Sequence, residues 1–283
     1  MNCPIAMWLG YFSDLPIRES IARLAAAGFT VGDLSDEHTP ELMSQPDPVS
    51  AARDLRAYAD DLGFSIPQGH LSFKQGLCTP EAVDLLKREI DMFAALGTTA
   101  LVIHGSGGLE LSREQRTALW AKNLGILSEY VEGSGITLCL ENLYSLAETR
   151  TCADLKAILE ASGGKNLGIC LDTGHLHLCR RLGYINETPA EFIRSAGPLL
   201  QALHINDNDG LGDTHHAPFS ALYGISSLRW KEVMQALHDI DYRGIFDLEL
   251  LAEGYGPLPI RTAKLAYLRT LSDYLLSPEF LNM

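Results

Sequence analysis

Acidic and histidine residues stand at or near the ends of apolar, strand-like segments of this chain. Six residues share this placement: His70, His104, Glu141, Asp172, His204 and Glu249. A carboxylate at the end of a hydrophobic strand is costly unless something compensates its charge. A divalent metal at the open end of a barrel is the simplest compensator for such a set, so the placement predicts a metal centre.

The alternation of side chains along a strand groups four of these residues with a partner two positions earlier. If this shared face points inward, Glu141, Asp172, His204 and Glu249 meet at the barrel mouth and offer three carboxylates and one imidazole. That donor set suits Mn²⁺, Zn²⁺, Co²⁺ or Mg²⁺ and leaves positions open for substrate oxygens. Taken alone, Asp172 before Thr-Gly is typical of a turn or helix cap, and a strand-end histidine is usually only hydrogen-bonded. Their occurrence together on different strands favours a site.

The elements that must position these groups form a repeating pattern of a strand followed by a helix. The predicted strands are Ala6–Tyr11, Thr30–Asp33, Phe64–His70, Ala100–His104, Ile136–Glu141, Leu167–Asp172, Ala202–Asp207 and Gly244–Leu250. The predicted helices are Ile17–Ala27, Pro48–Leu62, Pro80–Leu96, Ser112–Val131, Thr151–Leu159, Pro189–Ala196, Ser227–Leu237 and Leu258–Leu275. Such alternation implies parallel strands with helices outside them.

Eight such units predict an α/β fold, a closed (β/α)8 TIM barrel that forms a single domain over residues 1–283. A doubly wound open sheet is the alternative, but its glycine-rich phosphate turn is not found in MWLGYFSD after the first strand. No linker or low-complexity tract divides the chain. A length of 283 residues, 46% of them hydrophobic, is enough for one large core.

The charge balance bears on partners and location. The chain has 22 Lys and Arg against 36 Asp and Glu, a formal charge of −14, which repels nucleic acid and anionic membranes at long range. The segment MNCPIAMWLGYF lacks the features of a signal peptide, and no apolar run reaches the length of a membrane span. Six cysteines without CxxC spacing suggest buried thiols in a reducing compartment, so we expect a cytoplasmic protein.

Five segments together resemble the xylose-isomerase-like TIM barrels: LCLEN, GICLDTGH, ALHINDNDG, DTHH and YRGIFDLEL. That superfamily contains sugar isomerases and epimerases and the endonuclease IV group of abasic-site nucleases. The resemblance spans nearly the whole chain. It implies that Glu141, Asp172, His204 and Glu249 bind one divalent metal. In the epimerases of the superfamily, the two glutamates also flank the substrate carbon that loses and regains its proton.

The same resemblance implies roles for further residues. His175, three residues after Asp172, resembles a histidine that contacts substrate. His70 and His104 resemble endonuclease IV ligands on the third and fourth strands, and Asp213 and His215 resemble its Asp-x-His. These positions would serve as substrate-binding groups or as ligands of additional metals.

The leading hypothesis is a divalent-metal-dependent isomerase or epimerase of a small sugar, keto-sugar or inositol derivative. The metal would stabilise an enediolate as a Lewis acid while one glutamate, Glu141 or Glu249, removes a proton and the other returns one. A hydride shift would use the same ligands. The expected partner is a small sugar-like molecule, with no nucleic acid and no membrane. Gly254–Pro259 and the C-terminal helix offer surface for a homo-oligomer.

Two other hypotheses stay open on the residues. A metal-dependent phosphodiester hydrolase of the abasic-site type would use three clustered metals, but the charge of −14 and the absence of Lys and Arg from NDNDGLGDTHHAPF oppose it. The other loops at the strand ends are also poor in Lys and Arg. Lys74 and Arg150 are the exceptions, and they would suit a small anionic substrate as well as they would suit DNA. A barrel that binds a metabolite without catalysis would be favoured by loss of Glu141 or Glu249, and both are present.

Overall fold

Eight parallel strands form the centre of the fold. The computed structural model describes residues 3–74, 76–220 and 228–282. Its strands are β1 (Ile5–Trp8), β2 (Val31–Leu34), β3 (Ser65–His70), β4 (Ala100–Ile103), β5 (Thr137–Glu141), β6 (Leu167–Asp172), β7 (Leu200–His204) and β8 (Phe246–Leu248). Each pairs in parallel with its sequence neighbour, and β1 pairs with β8. A parallel bridge between Ile205 and Leu248 joins β7 to β8 and closes the ring. The prediction of a (β/α)8 barrel is confirmed.

The connections between the strands are helical. Within the described residues the helices are α1 (Ile17–Ala26), α2 (Thr39–Met43), α3 (Pro48–Asp61), α4 (Pro80–Leu96), α5 (Arg113–Tyr130), α6 (Cys152–Ser162), α7 (Thr173–Arg181), α8 (Pro189–Ala196), α9 (Trp230–Asp239), α10 (Leu258–Leu276) and α11 (Pro278–Asn282). Among these, none is both long enough and apolar enough to cross a membrane. Ser112 and Gln115 form the capping box that their spacing predicts, which fixes the start of α5.

Three helices were not predicted from the sequence: α2, α7 and α11. The omission of α7 matters most, because this helix begins directly after β6 and carries His175. Asp172 is its N-cap, and the Asp172 carboxylate accepts a hydrogen bond of 2.6 Å from the His175 backbone N–H. Asp172 therefore caps a helix, which is the ordinary role of an Asp before Thr-Gly, and the same residue is also predicted to bind the metal.

Several predicted strands extend too far at their C-terminal ends. Tyr11 lies in a 3-10 turn, Leu9–Phe12, and not in β1. The strand predicted over Ala202–Asp207 runs over Leu200–His204 instead, because the Asp207 side chain accepts hydrogen bonds from backbone amides of the following loop. The helix predicted over Ser227–Leu237 begins at Trp230. Ser227, with the rest of residues 221–227, lies outside the described residues.

Two apolar layers support the barrel. The outer layer lies between strands and helices and includes the fully buried rings of Phe93 and Trp120. It packs tightly, since a Cβ at Gly69 on β3 would overlap the Phe93 ring. Inside the barrel, small side chains fill one region: Val102, Cys139, Cys170 and Ala202, all with no exposed surface. The cysteines are free thiols, and five of the six are buried, as predicted.

Candidate active site

The C-terminal ends of the strands surround one cavity of about 400 Å³. Seven of the nine predicted site residues line it: His70, His104, Glu141, His175, Asp213, His215 and Glu249. The other two, Asp172 and His204, are buried and adjoin the lining residues. Because β-strands in this fold all point their carboxyl ends to the same face, residues up to 179 positions apart in the chain meet here. Their individual roles stay predictions.

Glu141 is the centre of one half of the site. Its Oε2 lies 2.8 Å from His104 Nε2 and 3.1 Å from His70 Nε2. Its Oε1 lies 3.1 Å from His204 Nδ1 and 3.5 Å from His175 Nδ1. A carboxylate that is only 1% exposed is thus surrounded by four imidazoles.

Glu249 belongs to the other half, with the loop that follows β7. Its Oε2 lies 3.3 Å from His204 Nδ1 and 3.4 Å from His215 Nδ1. Asp213 lies between two histidines, with Oδ1 3.0 Å from His215 Nε2 and Oδ2 3.3 Å from His175 Nε2. The two halves therefore meet at the His204 ring, whose Nδ1 faces both glutamates.

Asp172 is held from three directions by backbone and amide groups. Its Oδ1 accepts the His175 N–H, and its Oδ2 accepts a 2.8 Å hydrogen bond from Asn206 Nδ2. Its backbone N–H donates to Asn142 Oδ1 at 2.8 Å, and its carbonyl accepts from Asn142 Nδ2 at 3.1 Å. These contacts fix the carboxylate where β6 becomes α7.

The surroundings shift the pKa values of these groups in opposite directions. Burial opposes ionisation of Glu141, but the facing imidazoles of His204 and His104 outweigh it and hold the pKa of this carboxyl well below its usual range. Burial raises the pKa of Glu249 to about 7, although His204 and His215 work against the rise. Burial would lower the pKa of His215, yet Glu249 and Asp213 raise it to about 9. Two carboxyls with separated pKa values in one cavity are typical of acid–base chemistry.

The residues present fit a divalent metal. Carboxylate and imidazole atoms of Glu141, Asp172 and His204 lie within 4.8 Å of one another, and so do those of His70, His104 and Glu141. Glu249 Oε2 is buried and accepts no hydrogen bond within the described residues. Glu249 Oε2 lies 3.3 Å from His204 Nδ1, so this carboxylate oxygen adjoins the Glu141, Asp172 and His204 group, and its donor type suits a divalent cation.

A second polar layer lies in the barrel below the cavity, and sequence reasoning missed its extent. Asp33 and Asp247 are fully enclosed, and burial raises the pKa of each carboxyl. Gln68 Nε2 donates to Leu203 O at 3.3 Å. Strand parity was the available signal, since Asp247 lies two positions before Glu249 and shares its side of the strand, and the corresponding inward positions of β2 and β3 were not considered.

Sequence reasoning also missed most of the cavity wall. Trp8 at the end of β1, Glu37 in the loop after β2, Phe73 after β3 and Leu251 after β8 all line the cavity. Trp8 is the last residue of β1, and the other three lie three residues after the ends of their strands. The rule used for the predicted ligands considered only acidic and histidine residues at the strand ends themselves, so it missed all four.

Comparison with known proteins places the fold and the site in context. A profile of the xylose isomerase-like TIM barrel matches residues 21–271. The chain belongs to this family. Among its relatives, D-psicose 3-epimerase of Enterocloster bolteae is 27% identical over 84% of this chain and 77% of that protein. Fructoselysine 3-epimerase of Shigella flexneri is 28% identical over 60% of this chain and 59% of that protein.

Other comparisons extend this result. A probable endonuclease 4 of Nitratidesulfovibrio vulgaris is 32% identical over 60% of this chain and 64% of that protein. A crystal structure of D-psicose 3-epimerase in the presence of D-fructose superposes with a TM-score of 0.76, 17% identity, and coverage of 96% of this chain and 99% of that one. At that identity the superposition shows the fold alone. The curated relatives support an isomerase-type enzyme of the sugar-epimerase kind.

Proposed function

We propose that the protein is a divalent-metal-dependent epimerase or isomerase of a keto-sugar, which acts by proton transfer at carbon. One observation carries the proposal: Glu141 and Glu249, from strands on different sides of the barrel, approach the same His204 nitrogen at 3.1 and 3.3 Å. Two carboxylates converging on one point at the cavity floor can flank a single substrate carbon. The similarity to 3-epimerases of ketoses supports the same substrate class.

The contacts of each residue indicate its role in the proposed reaction. Glu249 Oε2 accepts no hydrogen bond within the described residues, so it is free to receive a proton from the substrate carbon. Glu141 then acts from the other side of that carbon: the histidines beside its two oxygens orient the carboxylate toward the cavity, and they are the neighbouring groups from which it would take the proton that it returns. His175 and His215, held by Asp213, orient substrate hydroxyls from the side of the β7 loop.

Glu141, Asp172, His204 and Glu249 would hold the metal. A divalent ion there supplies Lewis-acid stabilisation for the negative charge that develops on the substrate oxygens when the proton leaves. His70 and His104 line the cavity beside Glu141 and would contact substrate or a further ion. Mn²⁺, Zn²⁺, Co²⁺ and Mg²⁺ all accept such a mixed oxygen and nitrogen set.

Solvent exchange tests the proposal directly. The Mn²⁺-loaded protein is incubated in D₂O with ketoses, ketose phosphates and inosose-like ketones, and deuterium is measured in recovered substrate and product. We expect incorporation at one carbon, and we expect Glu249→Gln and Glu141→Gln to abolish it while the size of the side chain is preserved. Glu160→Gln, on the exposed surface of α6, is the control and should exchange normally.

Three results would contradict the proposal. Full exchange in both glutamine variants would mean that other groups move the proton. Conversion without deuterium uptake would indicate a hydride shift. Nicking of an abasic duplex, lost in Glu249→Gln, would favour the endonuclease alternative that the similarity to probable endonuclease 4 keeps open.

A further inference from the structure

The cavity wall opposite the β6 and β7 loops carries a hydrogen-bonded chain that the proposed proton transfer does not use. Trp8 Nε1 donates to Ser35 Oγ at 2.6 Å, and Ser35 Oγ donates to Glu37 Oε2 through a short hydrogen bond. All three residues line the cavity. The chain holds the Glu37 carboxylate at the wall in a defined position, because both the ring and the hydroxyl are buried.

The position of Glu37 defines one end of a bound substrate. Glu37 follows β2, and His175 follows β6, four strands away around the ring of eight. These two residues therefore stand on opposite sides of the barrel mouth. A substrate that contacts His175 and the glutamates with its reacting carbons extends toward Glu37 with its other end.

The basic side chains that line the cavity are histidines, and they pair with the other carboxylates of the site. The cavity lining contains Glu37, Glu141, Asp213 and Glu249 but no Lys or Arg among the described residues. Lys74 follows the lining residue Phe73; its Nζ lies 4.0 Å from Asp36 Oδ2 and 5.8 Å from the centre of the Phe73 ring, and its side chain is 68% exposed. The segments outside the described residues, 1–2, 75, 221–227 and 283, contain no Lys or Arg in the sequence. A phosphate or carboxylate at the Glu37 end would thus meet repulsion from Glu37, which the exposed Lys74 ammonium, already paired with Asp36, would offset only in part.

Arg150 does not supply the missing charge. Its Nε donates to the Tyr144 carbonyl at 3.1 Å, and its guanidinium lies 4.0 Å from the centre of the Tyr184 ring. Both contacts hold it in the loop after β5, and it does not line the cavity. Neither Lys74 nor Arg150 lines the cavity, and a role for either side chain with an anionic substrate stays a prediction.

Aromatic rings line the cavity both beside Glu37 and beside the histidines that contact Glu141. Trp8 forms part of the wall, and the Phe73 ring lies 6.0 Å from the His104 ring and 6.1 Å from the His70 ring. Rings beside a carboxylate favour a cationic or hydroxyl-bearing group, since the π face attracts positive charge and packs on the C–H face of a sugar.

We propose that Glu37 determines specificity by receiving a hydrogen-bond donor, an ammonium or a hydroxyl, at the end of the keto-sugar farthest from the reacting carbon. The site then selects amine-bearing and neutral ketoses and rejects phosphorylated ones. This inference rests on the proposed function for the orientation of the substrate. The proposed function concerns the reaction, whereas the role of Glu37 concerns which substrates are bound.

Three probes that differ only at carbon 6 test the inference: D-fructose, 6-amino-6-deoxy-D-fructose and D-fructose 6-phosphate, of which the first two are matched in size. With the Mn²⁺-loaded protein, kcat/KM for deuterium exchange should be highest for the amine and lowest for the phosphate. Glu37→Gln should lower the ratio of amine to phosphate by about tenfold or more, the loss typical of a hydrogen bond to a charged group. Glu37→Lys should reverse the ranking. Glu129→Lys makes the same charge change on exposed α5 and should leave it unaltered.

Calorimetric titration of the same probes separates this inference from the proposed function. If exchange is absent but the dissociation constants follow the same ranking and respond to Glu37→Lys as stated, the proton-transfer proposal fails and the role of Glu37 stands. Equal binding or turnover of phosphate and amine by the native protein overturns it. So does an unchanged ratio in both Glu37 variants, or no binding of either the amine or the neutral probe.

Discussion

A methyl group added at Gly174 should weaken the predicted metal centre by a clash with Asn206, while it lies at ordinary contact distance, 3.4 Å, from the predicted ligand atom Asp172 Oδ1. Gly174 lies in the first turn of α7, and a Cβ there would overlap Asn206 Oδ1 and lie 3.0 Å from Asn206 Cγ. Asn206 is fully buried and cannot move into solvent. Because Gly174 is not in the left-handed region, alanine fits the backbone, and the effect comes from the clash alone.

The magnitude follows from the hydrogen bond that the clash breaks. Asn206 Nδ2 donates to Asp172 Oδ2 at 2.8 Å, and hydrogen bonds to charged groups contribute about 1.5–3 kcal/mol. The better helix propensity of alanine returns up to about 1 kcal/mol. We expect Gly174→Ala to lower the free energy of unfolding by about 1–2 kcal/mol. At about 2–4 °C per kcal/mol, the melting temperature should fall by roughly 2–8 °C.

Metal affinity should change more than stability. Groups that orient a ligand typically contribute about 10–100-fold to metal binding, so the dissociation constant for Mn²⁺ should rise by about that factor. The assay is calorimetric titration of Mn²⁺ into metal-free protein, with thermal melting of the same samples. Gly212→Ala is the matched control, because a Cβ at Gly212 meets no atom within 4 Å. If Gly174→Ala and Gly212→Ala have the same Mn²⁺ affinity and the same melting temperature, the reasoning is refuted.

Three further perturbations follow from the structure. Burial raises the pKa of Glu89 from 4.5 to about 7, so its contribution to stability is full below pH 4.5 and lost as the pH rises through about 7. Between pH 5 and pH 8, the free energy of unfolding of the native protein should fall by about 2 kcal/mol, and that of Glu89→Gln should lack this fall. Parallel pH curves for the two proteins would contradict this. Arg116→Met leaves the buried Glu148 carboxylate without its ion pair and should lower the free energy of unfolding by about 3–5 kcal/mol. Arg229→Met breaks an exposed ion pair and should change the free energy of unfolding by less than about 1 kcal/mol. Similar values for the two variants would argue against the effect of burial. Complete removal of divalent metal by a chelator should abolish exchange and lower the melting temperature, and unchanged exchange after confirmed metal loss would refute the mechanism.

The amino-acid sequence was sufficient for the fold and for the prediction that the acidic and histidine residues at the strand ends come together. Alternating strand and helix patterns are local, so each could be read from a short window, and their number predicted the barrel. The residues at strand ends could be placed at one face because the parity of side chains and the common direction of parallel strands leave no other arrangement. Glu141, Asp172, His204 and Glu249 reach that face as predicted, while their roles remain proposals.

Tertiary structure decided the features that depend on distances between residues remote in the chain. Helix α7 has few apolar residues at helical spacing, and it forms because Asp172 caps it while Asn142 and Asn206 hold Asp172 from neighbouring strand ends. The opposite pKa shifts of Glu141 and Glu249 arise from which imidazoles approach each carboxylate. No local sequence pattern encodes the distances between these imidazoles and carboxylates. They are set when the barrel closes, because closure brings together residues from strands that are not neighbours in the sheet.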